Sequence, residues 1–341
     1  MTDRVLKLDG LRGLAIALVV LFHTFSRWPD YIDLVAVYGG FPLFKYGWLG
    51  VQLFFLISGY VIFMSLDRQD SFRGFIKARF LRLWPAMFFA TFLIYLSAPL
   101  FASRPAGQPE IWDIISGLLF IQPDFIQKII PSAGLLEGAF WSLFVEVKFY
   151  IFFASVYFVY GRFAAIFTII AVSFLFFSAK TMVYIGLCGD VILRPFYLLG
   201  ADHFFWFAAG AFLYYTKCKI SFYSVMIFLG LIAFASIARL GVHLDLVAGF
   251  MVGFVFWLAM STRILDQLLS VRPLIFLGFI SYPLYLTHEN ALVSMIAVTQ
   301  NYYIYDLMAP IIPIILICLV SWIIAKFIEP RIRFSVSRIF E

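Results

Sequence analysis

Apolar residues in this chain run in long, nearly unbroken stretches, interrupted by short polar or Gly/Pro-rich segments. A helix or strand buried on one face shows apolar positions at a period of about 3.6 or 2, and that period is weak here. Ten stretches approach or exceed the roughly 20 residues that a helix needs to cross hydrocarbon: 10–27, 48–66, 83–102, 139–160, 163–178, 200–216, 220–238, 243–261, 274–297 and 308–329. The pattern predicts an all-α, polytopic transmembrane bundle of about ten spans, forming one domain over residues 1–341. Two connections are long, 103–138 and 179–199. The first contains an apolar piece, Ile111 to Ile121, too short to span and suited to a re-entrant or interfacial segment.

Composition agrees with burial in lipid. Hydrophobic residues make up 64% of the chain and charged residues 13%, about half the ~25% of a soluble domain. A net charge of +6 raises nucleic-acid binding as a possibility, but in a membrane chain basic residues are first read as topology signals. With ten spans both termini share one side, and the segments on that side hold 17 of the 25 Lys and Arg residues. Both ends are therefore expected in the cytoplasm, and no nucleic-acid partner is expected. Arg4 and Lys7 followed by apolar Leu14 to Phe22 resemble a signal peptide, yet Arg27-Trp28-Pro29 follows where a small-residue cleavage site belongs. The first stretch is expected to be a permanent anchor. Cys188, Cys218 and Cys318 are widely separated, and neither a His-Glu-x-x-His pattern nor a Gly-rich phosphate loop occurs, so no metal site is expected.

Ionisable groups in hydrocarbon are costly and persist mainly where they face a cavity or a partner. Arg12 and His23 lie eleven residues apart in the first stretch, about three helical turns, on one face. His23 can accept a proton near neutral pH, or it can cap or bond a neighbouring helix. Small residues near Ser58 and Gly59 in the second stretch allow close helix approach. Arg79 and Arg82, three apart before the third span, present two guanidinium forks suited to phosphate, or simply mark the inner side. In the fourth span Ser142 and Glu146 share a face, while Lys148 points elsewhere. Pro283 is expected to kink the ninth span, in which Ser281, Tyr285 and His288 share a face. His203 and His243, near span ends beside Asp202 and Asp245, suit structural or interfacial roles.

These residues resemble the acyltransferase 3 family of bacterial membrane O-acyltransferases, and the resemblance covers nearly the whole chain. It rests on Leu8-Asp9-Gly10-Leu11-Arg12-Gly13 with His23, on Gly50-Val51 through Ser58-Gly59-Tyr60, and on Arg79-x-x-Arg82-x-x-Pro85. It continues in Trp141-Ser142-Leu143-x-x-Glu146-x-x-Phe149-Tyr150, in Gly278-x-x-Ser281-Tyr282-x-x-Tyr285-Leu286-x-His288, and in Glu329-Pro330. The resemblance implies transfer of an acyl group, commonly acetyl, from cytoplasmic acyl-coenzyme A to a sugar hydroxyl of a surface polysaccharide, glycolipid or glycoside, in a bacterial cytoplasmic membrane. The family's first-span arginine and histidine fall on Arg12 and His23, and its cytoplasmic arginine pair falls on Arg79 and Arg82. Arg12, Arg79 and Arg82 are then expected to bind the donor, His23 to act as general base on the acceptor hydroxyl or to be acylated first, and Glu146 to orient the base or the sugar. Ser58, Trp141, Ser142, Tyr150, Ser281, Tyr285 and His288 are then expected to line the acceptor cavity. A periplasmic hydrolase-like domain of the kind some family members carry after the bundle is not expected in this chain. The rival class is a transporter or flippase for a glycan-linked lipid, which also buries ionisable groups among many helices.

Overall fold

A computed structural model describes residues 3–216, 221–240, 244–302 and 306–340. Cys218, His243 and the two topology-marking lysines, Lys217 and Lys219, lie outside the described residues. Every regular element described is helical, and no strand occurs among the described residues. Five described helices are long and apolar enough to cross a membrane, and six if the pair Asp190–Leu199 and Ala201–Tyr215, bent by 79°, is one span. The protein is thus an all-α membrane bundle.

The helix Ile311–Ile323 illustrates why lipid is the solvent. Ile311, Ile315, Leu319 and Ile323 are exposed at four-residue intervals, flanked by exposed Ile312, Leu316 and Val320. Pro313, Ile317 and Ser321 are its buried positions. A continuous exposed stripe of this kind is untenable in water and is the expected outer face in hydrocarbon.

Cα proximity divides the chain into two compact units. The first comprises Met1–Arg12, Val51–Lys77 and Val145–Val271, and the second Gly13–Gly50, Ala78–Phe144 and Arg272–Glu341. In the first unit, the helices Leu49–Leu66 and Phe204–Tyr215 meet through two glycines. A Cβ on Gly59 would stand 2.1 Å from the Phe207 carbonyl oxygen, and one on Gly210 would stand 2.0 Å from that of Leu56. Any larger residue would force these backbones apart. The long helix Trp141–Tyr184 breaks at Gly161, whose φ of +85° is readily adopted only by glycine, and this break falls between the two stretches 139–160 and 163–178. Asp67 organises the end of the same unit, accepting hydrogen bonds from Tyr157 and Tyr214 and pairing with Arg162 at 3.0 Å.

The second unit contains most of the first helix (Asp3–Phe25), the bulk of Phe72–Ser97, and the carboxy-terminal helices. Gly13 lets Leu274 approach, since a Cβ there would lie 2.0 Å from the Leu274 carbonyl oxygen. The connection 103–138 is largely irregular and contains the short helix Asp113–Leu119 within the apolar piece noted above. Helix Arg272–Thr287 continues through Pro283, and the interruption falls five residues later, at His288, before a separate helix Glu289–Thr299. Two side chains occupy carbonyls of the last turn: Thr287 Oγ1 donates to Pro283 O at 3.0 Å, and His288 Nδ1–H donates to Tyr285 O at 3.0 Å. Helix ends with such partners terminate without stranding their carbonyls in an apolar interior.

Candidate active site

The interruption at His288 delivers three consecutive polar side chains, His288, Glu289 and Asn290, into the interior of the second unit, and all three are buried. His23, in the last turn of the first helix, meets them there. The His23 and His288 rings stand edge to face, with centroids 4.8 Å apart.

The hydrogen bonds fix the tautomers. A carbonyl oxygen only accepts, so the nitrogen facing it must carry the hydrogen. His23 Nδ1 lies 2.9 Å from Val19 O and therefore bears a proton. His288 Nδ1 bears one for the same reason, toward Tyr285 O, which leaves its Nε2 a lone pair 3.3 Å from His23 Nδ1. The His23 Nδ1–H is thus held between two acceptors, and Nε2 becomes the free basic nitrogen. That nitrogen faces Glu289 Oε1 at 3.4 Å, with the two side chains only 12% and 6% exposed. When His23 takes up a proton at Nε2, an anionic carboxylate is already in place to stabilise it. The second oxygen of Glu289, Oε2, is buried, and the backbone N–H of Ala139 donates to the same carboxylate.

Behind this pair lies a buried polar layer. Glu137 accepts hydrogen bonds from the Asn290 backbone N–H at 3.1 Å and from Asn290 Nδ2 at 2.6 Å. Asn290 also donates to Leu136 O at 3.0 Å, while its Oδ1 accepts from Ala106 N at 3.0 Å. Arg104 donates to Leu136 O and Gly107 O. Asn290 thereby uses both ends of its amide to tie the helix carrying Glu289 to the connection 103–138. Burial, and next the nearby Glu289 carboxylate, raise the Glu137 carboxyl well above its ordinary range. Burial likewise lowers Arg104, against the attraction of Glu137.

Gly138 follows Glu137, and a Cβ at this position would come within 2.6 Å of Glu289 Oε2. Its bare backbone leaves room beside the carboxylate. A cavity of about 460 Å³ opens at this point, lined by Glu289, Gly138, Trp28, Trp141, Phe144, Asp124 and neighbouring loop residues. Ser142 stands one residue beyond Trp141, with its hydroxyl 2.7 Å from the Tyr285 hydroxyl. Ser281, by contrast, turns its hydroxyl back to Gly278 O within its own helix.

The arginines form a second cluster in this unit. Arg82 pairs with buried Glu329 at 3.1 Å, and its guanidinium lies 5.6 Å from the centre of the Tyr282 ring. Arg333 also binds Glu329. Arg79 is half-buried one turn before Arg82 on the same helix. Tyr282 and His288 are six residues apart along one stretch of chain, about 9 Å of helical rise. One helix therefore carries both the ring beneath Arg82 and the end from which His288 projects.

The remaining predicted residues belong to the first unit. Glu146 accepts hydrogen bonds from Ser58 and Tyr150, and Arg12 pairs with Asp9 at 3.0 Å. The carboxylate that meets His23 is Glu289. Glu289, Glu137, Asn290 and Arg333 are not among the site residues expected from the sequence. The cost of an ionisable residue within an apolar stretch, applied to Glu146, applies equally to Glu289 and is the signal that marks it. Among the described residues no cluster of three or more His, Cys, Asp or Glu is placed to hold a metal ion.

Comparison with known proteins gives this arrangement its class. Residues 5–326 match the acyltransferase domain model of the acyltransferase 3 family. The chain belongs to that family. Acyltransferase MdmB of Streptomyces mycarofaciens is 29% identical over 163 residues, covering 44% of this chain and 39% of that protein. A Staphylococcus aureus (strain COL) protein named "Putative O-acetyltransferase" is 29% identical over 157 residues, 43% of this chain and 23% of its own length. "Putative membrane-bound transacylase BcsY" of Komagataeibacter xylinus is 42% identical over 82 residues, 24% of this chain and 17% of its own. The matched regions thus span well under half the length of these relatives. No solved structure matches the chain.

Proposed function

We propose that this enzyme transfers an acyl group, acetyl in the simplest case, from cytoplasmic acyl-coenzyme A to a hydroxyl of a sugar in a glycan, glycolipid or related glycoside at a bacterial cytoplasmic membrane. The observation that carries this reading is the fixed tautomer of His23, whose Nδ1–H is taken by Val19 O and whose Nε2 faces Glu289. The family and the names of its relatives support acyl transfer. The excess of basic residues on one side of a ten-span topology supports cytoplasmic termini and a cytoplasmic donor.

His23 Nε2 removes the proton of the acceptor hydroxyl as its oxygen attacks the thioester carbonyl. The carbon–sulfur bond then breaks, the coenzyme A thiolate leaves and takes up a proton, and the acyl group remains as an ester. A general base contributes roughly 10²–10⁴-fold to such a step. Glu289 stabilises the imidazolium, and His288 holds the ring through Nδ1–H. Arg79, Arg82 and Arg333 bind the donor's phosphates by charge-assisted hydrogen bonds. Arg12 is assigned to donor binding and Glu146 to orienting the base or the sugar.

Mass analysis of surface glycans from cells with and without the gene tests this reading. A difference of one acyl group per modified sugar is expected. Identical glycan masses, with substrate counterflow in proteoliposomes lacking any acyl donor, would overturn it.

A further inference from the structure

The cavity over Glu289 has a character that the catalytic pair alone does not explain. Its volume of about 460 Å³ lies in the usual range for small-ligand pockets, ~300–1,000 Å³. Two indoles, Trp28 and Trp141, and Phe144 supply flat apolar wall. Asp124, Gln122 and Gln127 supply polar atoms toward the loops, and Glu289 lies beside His23. One donor in the lining is left unmet by the protein: Trp28 Nε1–H is buried without an acceptor. The Glu289 carboxylate, which takes a backbone hydrogen bond from Ala139, supplies acceptor oxygens in the same lining. Buried polar groups in folded proteins are almost always paired, so an unmet donor and a carboxylate at one cavity point to a ligand that both accepts and donates. A hydroxyl does both.

Charge sharpens the choice. The lining contains two carboxylates, Asp124 and Glu289, and no Lys or Arg. Such a cavity repels phosphates and carboxylates, which separates it from the arginine cluster suited to the donor. Flat aromatic wall fits the apolar face of a pyranose ring, while carboxylate and amide groups take up its hydroxyls.

We propose that this cavity is the acceptor subsite and that it takes a neutral pyranose, discriminating against acidic sugars. This rests on the acyl-transfer reading above. Trp28 and Trp141 stack or edge the ring, Asp124 receives a peripheral hydroxyl and rejects an acidic one, and Glu289 Oε2 receives the hydroxyl next to the reacting one. Gly138 is a specificity position, because any side chain there would press on Glu289.

The test is saturation-transfer NMR on the full-length protein in detergent, with methyl glycosides of glucose, galactose, mannose and N-acetylglucosamine set against methyl glucuronide. At least one neutral glycoside is expected to bind in preference to the glucuronide. Trp28→Ala should weaken it about tenfold, the loss of one aromatic anchor. Asp124→Asn, a nearly isosteric surface change, should admit the glucuronide and so guards against a mere folding defect in the tryptophan variant. Absence of binding by all four neutral glycosides, equal binding of the glucuronide, or indifference to both substitutions would overturn the proposal. Binding needs no chemistry, so acyl-coenzyme A consumption measured in parallel separates the outcomes. Loss of glycoside binding with His23-dependent acyl transfer intact removes the subsite alone, whereas binding without any acyl transfer removes the enzymatic reading.

Discussion

His23 Nε2 stands 3.4 Å from Glu289 Oε1, in a site where both side chains are nearly closed to solvent. Since Val19 O and His288 Nε2 occupy the Nδ1–H side of the ring, Glu289 acts on the nitrogen that exchanges protons. In the proposed mechanism it holds the positive charge that the ring acquires during the reaction. Orientation of the ring falls to Val19 and His288.

Glu289→Gln should therefore lower the rate of acyl transfer about 10²-fold, the scale expected when stabilisation of a developing charge is removed from a buried site. Affinity for acyl-coenzyme A should stay unchanged. Turnover and donor binding measured on the same preparation check this. A variant with undiminished turnover would remove Glu289 from the proton-transfer step.

Gly138→Ala probes the same carboxylate by a different route. The added methyl would lie 2.6 Å from Glu289 Oε2, too close unless the carboxylate moves off His23. Overpacking of this kind costs about 1–3 kcal/mol. The expected result is a folded protein with sharply reduced transfer and normal donor affinity. Full activity would show that Glu289 has room to move without consequence.

The buried Glu137 predicts a pH dependence of stability. Its carboxyl is raised in the folded protein by burial and by the Glu289 charge. Above the unfolded carboxylate pKa the folded state holds the proton more tightly, so this group's contribution to stability falls as pH rises toward the folded pKa. Glu137→Gln keeps the shape, cannot ionise, and should flatten that slope. Thermal unfolding in detergent between acidic and neutral pH checks it, and an unchanged slope would place the titration elsewhere.

Arg82 and Arg333 share the carboxylate of Glu329. Removing Arg82 leaves Glu329 a cationic partner, so Arg82→Ala should fold. Together with Arg79→Ala it should weaken acyl-coenzyme A binding by about tenfold or more, as loss of charge-assisted hydrogen bonds to phosphate implies. Calorimetric titration with a non-hydrolysable acyl-coenzyme A analogue measures this, and unaltered affinity would leave the arginines as topology markers.

Helical class and membrane residence were legible because lipid imposes a composition that no soluble fold tolerates, as in the exposed stripe of Ile311–Ile323. His23 and His288 stood out as rare ionisable residues in apolar stretches. Their partner in space did not. The pairing of His23 with Glu289 spans most of the chain and depends on the helix ending at His288, five residues beyond Pro283. Glu137 and Asn290 were hidden for a related reason. Each is an ordinary loop or helix-start residue in sequence, and only their mutual hydrogen bonds in the fold reveal a buried polar layer.

In the proposed mechanism His23 Nε2 accepts the proton of the attacking hydroxyl. The most direct test follows a radiolabelled acetyl group from acetyl-coenzyme A into extracted envelope glycan, using purified wild-type and His23→Ala protein in proteoliposomes. Labelled glycan is expected from the wild type, and a variant that still binds acetyl-coenzyme A but transfers label at least about 10²-fold more slowly. Normal labelling of glycan by His23→Ala would contradict it.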